Sequence, residues 1–331
     1  MALAGISFLT GALISLATSW LLVTRLERVG ERFAISEALL GMIAALAADA
    51  PEITSSISAL SQHQFGIGVG VVVGSNVFNL AALLGLGAVV AGTIHLHRRV
   101  VVLAGVVALW IAVVTVTTST GATSPLEGLL LVGVVLVGYV VVMGLRDHQR
   151  RGLPIPERWT AWLCSAVNEE EIELNESIQP RRGRPLDAVV ALGALVVVIV
   201  ASVVMEHGAA RLGHHFHVAD AVIGGVVLAA VTSLPNAVAG VYLAARGRAS
   251  AALSTALNSN NLNVFAGLLV PGVILGLAAP SRVGTVTALS YLLLTALVVV
   301  VAYAYRGLGR LVGWLIISIY ALFVVLVVVL T

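Results

Sequence analysis

Asp49 and Glu52 stand three residues apart inside a long apolar stretch, with Pro51 between them. That spacing puts both carboxylates on one face of a helix. An acid at bilayer depth costs about 2.5–3.5 kcal/mol on insertion scales, so it points to function by default. Pro51 brings no N–H to the helix ladder and so frees the carbonyl of Ala47. Carboxylates and freed carbonyls are the oxygen ligands a hard cation takes. These residues therefore offer cation coordination. The competing reading is a pair of acids satisfied by hydrogen bonds alone. The next apolar stretch carries Ser75 and Asn79 one helical turn apart, above an i,i+4 stripe of Gly66, Gly70 and Gly74. Such small residues let backbones approach, and tight packing is the simpler reading of the stripe.

The same pattern occurs twice. At a constant offset of 184 (260 minus 76), Gly41 aligns with Gly225, Pro51 with Pro235, Ser75 with Ser259, Asn76 with Asn260 and Asn79 with Asn263, without a gap. The second copy supplies Thr232, Ser233, Pro235 and Asn236, then Ser259, Asn260 and Asn263. Pro235 would free the carbonyl of Val231. Hydroxyls and amides are the only ligands here, so formal charge sits in the first copy alone. Asn258 and Asn261 add further amides, some of which serve neighbouring helices. Shared low complexity cannot produce this register, because Pro, Ser and Asn carry it.

Elements long enough to span a bilayer must position these residues. Apolar types make up 59% of the chain and charged types 10%, with a mean hydropathy of +1.05. A soluble domain cannot cover itself with so little charge. The apolar runs are continuous over roughly 20 residues, which means helices and not barrel strands. Ten spans are predicted, at 2–24, 34–61, 66–91, 100–118, 126–145, 186–205, 218–245, 250–279, 283–304 and 311–330. No basic segment precedes the first, which reads as a retained span and not a cleaved leader. Five spans separate the two copies, so they face opposite ways. This is an inverted repeat, the plan of many secondary transporters, with the ion site near the midplane between broken helices.

Every basic residue is Arg; there is no Lys. With the N-terminus outside, only Arg211 and Arg282 fall in outside loops. Arg25, Arg28, Arg32, Arg98, Arg99, Arg146, Arg150, Arg151, Arg158, Arg181, Arg182, Arg184, Arg246, Arg248, Arg306 and Arg310 fall inside. Both termini are thus expected outside. Basic residues scattered between spans set orientation and give no nucleic-acid surface. The domain reading is a first transmembrane half, 1–145, with its repeat at 34–91; a cytoplasmic linker, 146–185; and a second half, 186–331, with its repeat at 218–279. Pro154 and Pro156 open the linker, which carries the acidic run Glu169, Glu170, Glu171 and Glu173. It reads as a solvated segment with a short amphipathic helix. Cys164 is the single cysteine and has no partner for an intramolecular disulfide. His214, His215 and His217 have a spacing open to a metal but read first as an exposed outside loop. His95 and His97 read as interfacial, and Glu206 and Asp220 read as interfacial residues at outer span ends, with the lining of an entry vestibule as the alternative.

Residues 48–52 (Ala-Asp-Ala-Pro-Glu) and 74–79 (Gly-Ser-Asn-Val-Phe-Asn) resemble the first α-repeat of the sodium/calcium exchanger family, within the calcium/cation antiporter superfamily. Residues 232–236 (Thr-Ser-Leu-Pro-Asn) and 258–263 resemble its second. The resemblance implies an all-α integral membrane protein of about ten helices in two inverted five-helix repeats. It implies a central site for Na⁺ and Ca²⁺ built by Asp49, Glu52, Ser75, Asn79, Thr232, Ser233, Asn236, Ser259 and Asn263. The family usually has a Thr-Ser pair where this chain has Ala48-Asp49, Glu where it has Asn236, and commonly an acid where it has Asn263. Two carboxylates can neutralise one Ca²⁺, but they can also share a proton. The expectation is a secondary active cation antiporter, not an enzyme, with no cofactor, moving Ca²⁺ or another cation against Na⁺ or H⁺. Two spans would rock against an eight-helix core in the plasma (inner) membrane. The alternatives are a Na⁺/H⁺ exchanger on the same fold, a passive channel, and a transport-inactive sensor or scaffold.

Overall fold

The continuous apolar runs fold as helices because a bilayer offers no partner to an unpaired backbone amide or carbonyl. The computed structural model describes residues 1–32, 37–145, 147–152, 154, 156–177, 183–277 and 279–331. The order begins with α1 (Ala2–Arg32), then α2 (Glu37–Ala48) and α3 (Ala50–Ser61), which form one span broken at Asp49. α4 (Phe65–Asn79) passes through a wide π-type turn, Leu80–Leu86, into α5 (Gly87–Ala91). The strand β1 (Thr93–His95), α6 (Arg98–Ser119) and α7 (Pro125–Gly144) complete the first half. Next come α8 (Asp147–Arg150) and α9 (Glu157–Ser177). The second half starts with α10 (Pro185–Phe216) and continues with α11 (Asp220–Val222), a π-type turn (Ile223–Leu228) and α12 (Ala229–Thr232), followed by α13 (Leu234–Ala245). α14 (Ala249–Leu262) runs through a π-type turn, Asn263–Leu269, into α15 (Val270–Leu275). α16 (Arg282–Tyr305), β2 (Gly307–Gly309) and α17 (Arg310–Leu330) close the chain.

Seven of the described helices are long and apolar enough to cross a membrane unaided. The pair Asp220–Thr232 and Leu234–Ala245 makes an eighth span, bent by 49°. The broken α2–α3 span and the continuous α14–α15 span bring the set to ten. Two of the three wide turns follow the repeat: Leu80–Leu86 and Asn263–Leu269 each begin at or just after the Asn that ends the Ser-Asn motif, whereas Ile223–Leu228 has plain α-helix at the matching place in α2. β1 pairs antiparallel with β2, with Ile94 opposite Leu308, and ties the connection between α5 and α6 to that between α16 and α17.

The glycine stripe of α4 packs on the turn Ile223–Leu228. A Cβ on Gly70 would lie 2.7 Å from the Gly225 nitrogen, and one on Gly74 would press harder still on the Gly225 backbone. Backbone cannot yield as a side chain can. Gly74→Ala is therefore expected to destabilise the protein by about 1–3 kcal/mol or more. Thermal unfolding in detergent checks this. Gly138→Ala, where a new Cβ meets nothing within 4 Å, is the control.

The structure corrects several expectations. α1 and α10 outrun their predicted ends at 24 and 205 because polar residues there continue the helix. Glu206 therefore lies inside α10, fully buried, and not at an interfacial span end. His214 and His215 sit on the last turn of α10, and His217 caps it in the left-handed region with φ 55°. No group of three or more His, Cys, Asp and Glu side chains that could hold a metal ion is found there or elsewhere among the described residues. The linker helix α9 is longer and less solvated than expected. Its Cys164, Ala166 and Val167 are buried, and it packs on α2, α6 and α14. The Arg99 guanidinium meets Ser165, and Arg150 reaches Glu171 at 3.2 Å. Arg146, Arg181, Arg182 and the start of the predicted second span, 34–36, lie outside the described residues, as do the side chains of Glu170 and Glu173.

Candidate cation site

The break in each repeat falls on matched residues. Asp49 (φ −81°, ψ −3°) separates α2 from α3, and Ser233 (φ −81°, ψ 0°) separates α12 from α13. Pro51 and Pro235 occupy the first turns of the half-helices that follow, where a missing N–H costs least. Asp49 stands at the cap position of α3 without using its side chain to cap it. Its carboxylate, and that of Glu52 in the first turn, thus sit at the positive end of a half-helix, which favours negative charge. Asp49, Glu52, Ser75, Asn79, Thr232, Ser233, Asn236, Ser259 and Asn263 are all buried.

The pseudo-two-fold that relates the repeats can be followed bond by bond. Asn236 Nδ2 donates to Asp49 Oδ1 at 2.6 Å, and its symmetry mate is the Ser233 Oγ bond to Glu52 Oε1 at 2.8 Å. Asn79 Nδ2 donates to Asn260 Oδ1 at 3.1 Å, and Asn263 Nδ2 donates to Asn76 Oδ1 at 3.4 Å. Asn76 Nδ2 donates to the Asn260 carbonyl at 3.1 Å, and Asn260 Nδ2 to the Asn76 carbonyl at 3.0 Å. This reciprocal asparagine clasp joins α4 to α14 at the centre. Asn76 and Asn260 carried the sequence register but were not assigned to the site, whereas Asn79 and Asn263 were.

The symmetry breaks where the charge does. Ser259 Oγ donates to Asp49 Oδ1 at 2.6 Å. Its mate Ser75 would face Ser233, which carries no charge, and instead donates to the Val72 carbonyl of its own helix at 2.9 Å. Thr232 likewise donates to its own helix, at the Leu228 carbonyl, 2.9 Å away. Asn79 and Asn236 both also reach Ser259 Oγ, at 3.2 and 3.3 Å. The acids, Asn79, Asn236, Ser233 and Ser259 thus form one cluster, with Asn263 tied in through Asn76. The hydroxyls of Ser75 and Thr232 turn to backbone, though their oxygens keep free lone pairs.

One oxygen of each acid is used and the other is not. Asp49 Oδ2, Glu52 Oε2, Asn79 Oδ1 and Asn263 Oδ1 are buried with no donor among the described residues. An unsatisfied buried carboxylate oxygen is costly. Four acceptors with no donors are the inventory that a cation, and not a further hydrogen-bonding side chain, would satisfy.

Comparison with known proteins bears on the family and the fold. The family model described as sodium/calcium exchanger protein matches residues 3–144 and 187–329, one match in each half. An uncharacterised membrane protein of Methanocaldococcus jannaschii is 24% identical over 317 residues, covering 95% of this chain and 94% of its own length. The inner membrane protein YrbG of Escherichia coli is 26% identical over 298 residues, 88% of this chain and 84% of its own. A solved structure of the sodium-calcium exchanger NCX_Mj superposes with a TM-score of 0.62 at 23% identity, covering 97% of both chains, and shares the fold. With two matched repeats across its membrane-spanning halves, this chain belongs to the sodium/calcium exchanger family of membrane cation antiporters.

Proposed function

We propose that the protein exchanges one divalent cation, Ca²⁺ or an ion like it, for Na⁺ or H⁺ by alternating access, with the cation held between the two repeats. Asp49 and Glu52 are the charged ligands. Ser75, Asn79, Thr232, Ser233, Asn236, Ser259 and Asn263 supply neutral oxygens, and the half-helix ends add carbonyls. The observation that carries this is the set of four buried oxygens at the cluster with no donor among the described residues. Two carboxylates balance one divalent charge. After its release, two protons or two Na⁺ would restore that balance.

The moving part would be the pair α1–α10, rocking on the core. A Cβ on Gly11 would lie 2.7 Å from the Met205 nitrogen, and one on Gly208 2.6 Å from that of Phe8, so the two helices touch backbone to backbone. Ser15 and Ser202 share a hydrogen bond at 2.9 Å, and Arg25 pairs with Asp187 at 2.6 Å. The pair can therefore travel as one body. The arginine distribution supports both termini outside and the α9 segment in the cytoplasm, and an inner membrane location like that of the relative from E. coli would suit this reading.

Reconstituted protein is expected to take up Ca²⁺ when an outward Na⁺ gradient, or separately a pH gradient, is imposed. Uptake driven by one gradient alone identifies the counter-ion. If Na⁺ and H⁺ exchange while neither gradient moves Ca²⁺, the divalent assignment is wrong. If no cation moves, the antiporter reading fails.

A further inference from the structure

A second buried acid lies away from the central cluster. Glu206 of α10 is fully buried at the interface with α3. Ser58 Oγ donates to its Oε2 at 2.7 Å, and Gln62 Nε2 does so at 3.1 Å. His207 Nδ1 lies 3.3 Å from the same oxygen, but it also stands 2.7 Å from the Val203 carbonyl of its own helix. Oε1 of Glu206 meets no donor among the described residues. Beside these groups, a cleft of about 570 Å³ opens between α3 and α10, lined by Ser58, Ser61, Gln62, Val203 and His207 among others.

The cleft is connected to the centre by chemistry. Along α3, Glu52, Ser55, Ser58 and Gln62 follow one another at intervals of three or four residues, so they share one face. Ser55 Oγ is buried and, like Glu206 Oε1, without a partner among the described residues. Ser58 lies six residues beyond Glu52, about 9 Å along the axis. A polar ladder thus runs from the cleft to the central carboxylates through otherwise apolar packing. A buried acid with a spare oxygen, at the mouth of such a ladder, is costly unless something charged visits it.

We infer that Glu206, with Ser55, Ser58 and Gln62, forms a second cation station between the cleft and the central site, and that it takes a monovalent cation of the Na⁺ class. Charge selects the ion. One carboxylate with neutral oxygens balances a single positive charge, and a divalent ion there would leave one unit uncompensated in a low dielectric. The central pair, with two carboxylates, has the opposite preference. The station rests on the exchange reading for its purpose, but not for its existence.

The test uses the full chain in oriented proteoliposomes, with Na⁺ presented in turn on each face. Glu206→Gln is expected to raise the half-saturating Na⁺ concentration about ten-fold more on the face holding the C-terminal ends of α3 and α10 than on the other. The half-saturating Ca²⁺ concentration should move less, and Glu206→Asp should recover part of the loss. An equal shift on both faces, or none, overturns the station. Binding of radiolabelled Na⁺ to the purified chain separates the two readings. Glu206→Gln should remove a Na⁺ site that Asp49→Asn and Glu52→Gln retain. If that site is absent while exchange proceeds, the station is wrong and the exchanger reading stands. If it is present while no exchange occurs, the reverse holds.

Discussion

Glu52→Gln is expected to end divalent exchange, lowering Ca²⁺ affinity by at least about a hundredfold, or roughly 2.7 kcal/mol. Gln keeps the shape, and its Oε1 can still accept from Ser233 Oγ, now 2.8 Å from Glu52 Oε1. What it removes is one of the two charges facing the ion. At a coordination distance of about 2.4 Å, that charge is worth several kcal/mol even at an effective dielectric of about 20. Stability should move the opposite way. Without cation or added protons, the wild type holds two buried carboxylates, each with an oxygen that meets no donor among the described residues. Neutralising one should raise the unfolding temperature of the cation-free protein, because unpaired buried charge is destabilising. The rise in unfolding temperature that Ca²⁺ gives the wild type by mass action should disappear in the variant. A purely structural Glu52, satisfied by its hydrogen bonds, predicts the reverse: a variant that is less stable and transports as before. Exchange of monovalent ions that survives in the variant would mean that Asp49 alone suffices for one charge.

The architecture was legible because membrane constraints are strong and local. A charge inside an apolar run, a proline beside it and an asparagine at the same offset in another run each stand out against Ala, Val and Leu. Asp49, Glu52 and Asn236 stood out as candidates that way, and the repeat offset marked which positions of the two copies match. The same logic failed at span ends. Hydropathy falls before the helix stops, so the polar last turns of α10 read as loop, and Glu206 moved from interior to edge. It also failed for the direction of hydroxyls. Ser75 and Ser259 occupy equivalent positions, yet one bonds its own backbone and the other bonds Asp49. That difference depends on the residue across the interface, acid in one case and serine in the other, and no single span contains it. The linker showed the same limit. The polar residues of α9 mark it as solvated, but its Ala166 and Val167 are covered by neighbours from both halves.

The pseudo-symmetry makes an isosteric charge swap the sharpest probe of the cluster. Asn236→Asp alone turns the amide that donates to Asp49 Oδ1 at 2.6 Å into a carboxylate oxygen facing a carboxylate oxygen. It should destabilise the cation-free protein by about 3–5 kcal/mol, the scale of leaving buried charge uncompensated. Asp49→Asn alone removes a charge and should lower Ca²⁺ affinity as Glu52→Gln does. Together, the two substitutions restore one acid and one amide across the same contact, with Glu52 untouched. The double variant should therefore recover most of the lost stability and a large part of the Ca²⁺ affinity, and the coupling energy of the cycle should exceed about 2 kcal/mol. Unfolding temperature and Ca²⁺ binding on the four proteins give it directly. Additive effects would mean that Asp49 and Asn236 do not act as a pair. Recovery of stability without recovery of binding would mean that their contact joins the repeats but does not hold the ion. Recovery of both is the result expected if the ion responds to total charge between the repeats and not to the repeat that supplies it. On that account, an inverted repeat can carry its acids on one side and still exchange cations.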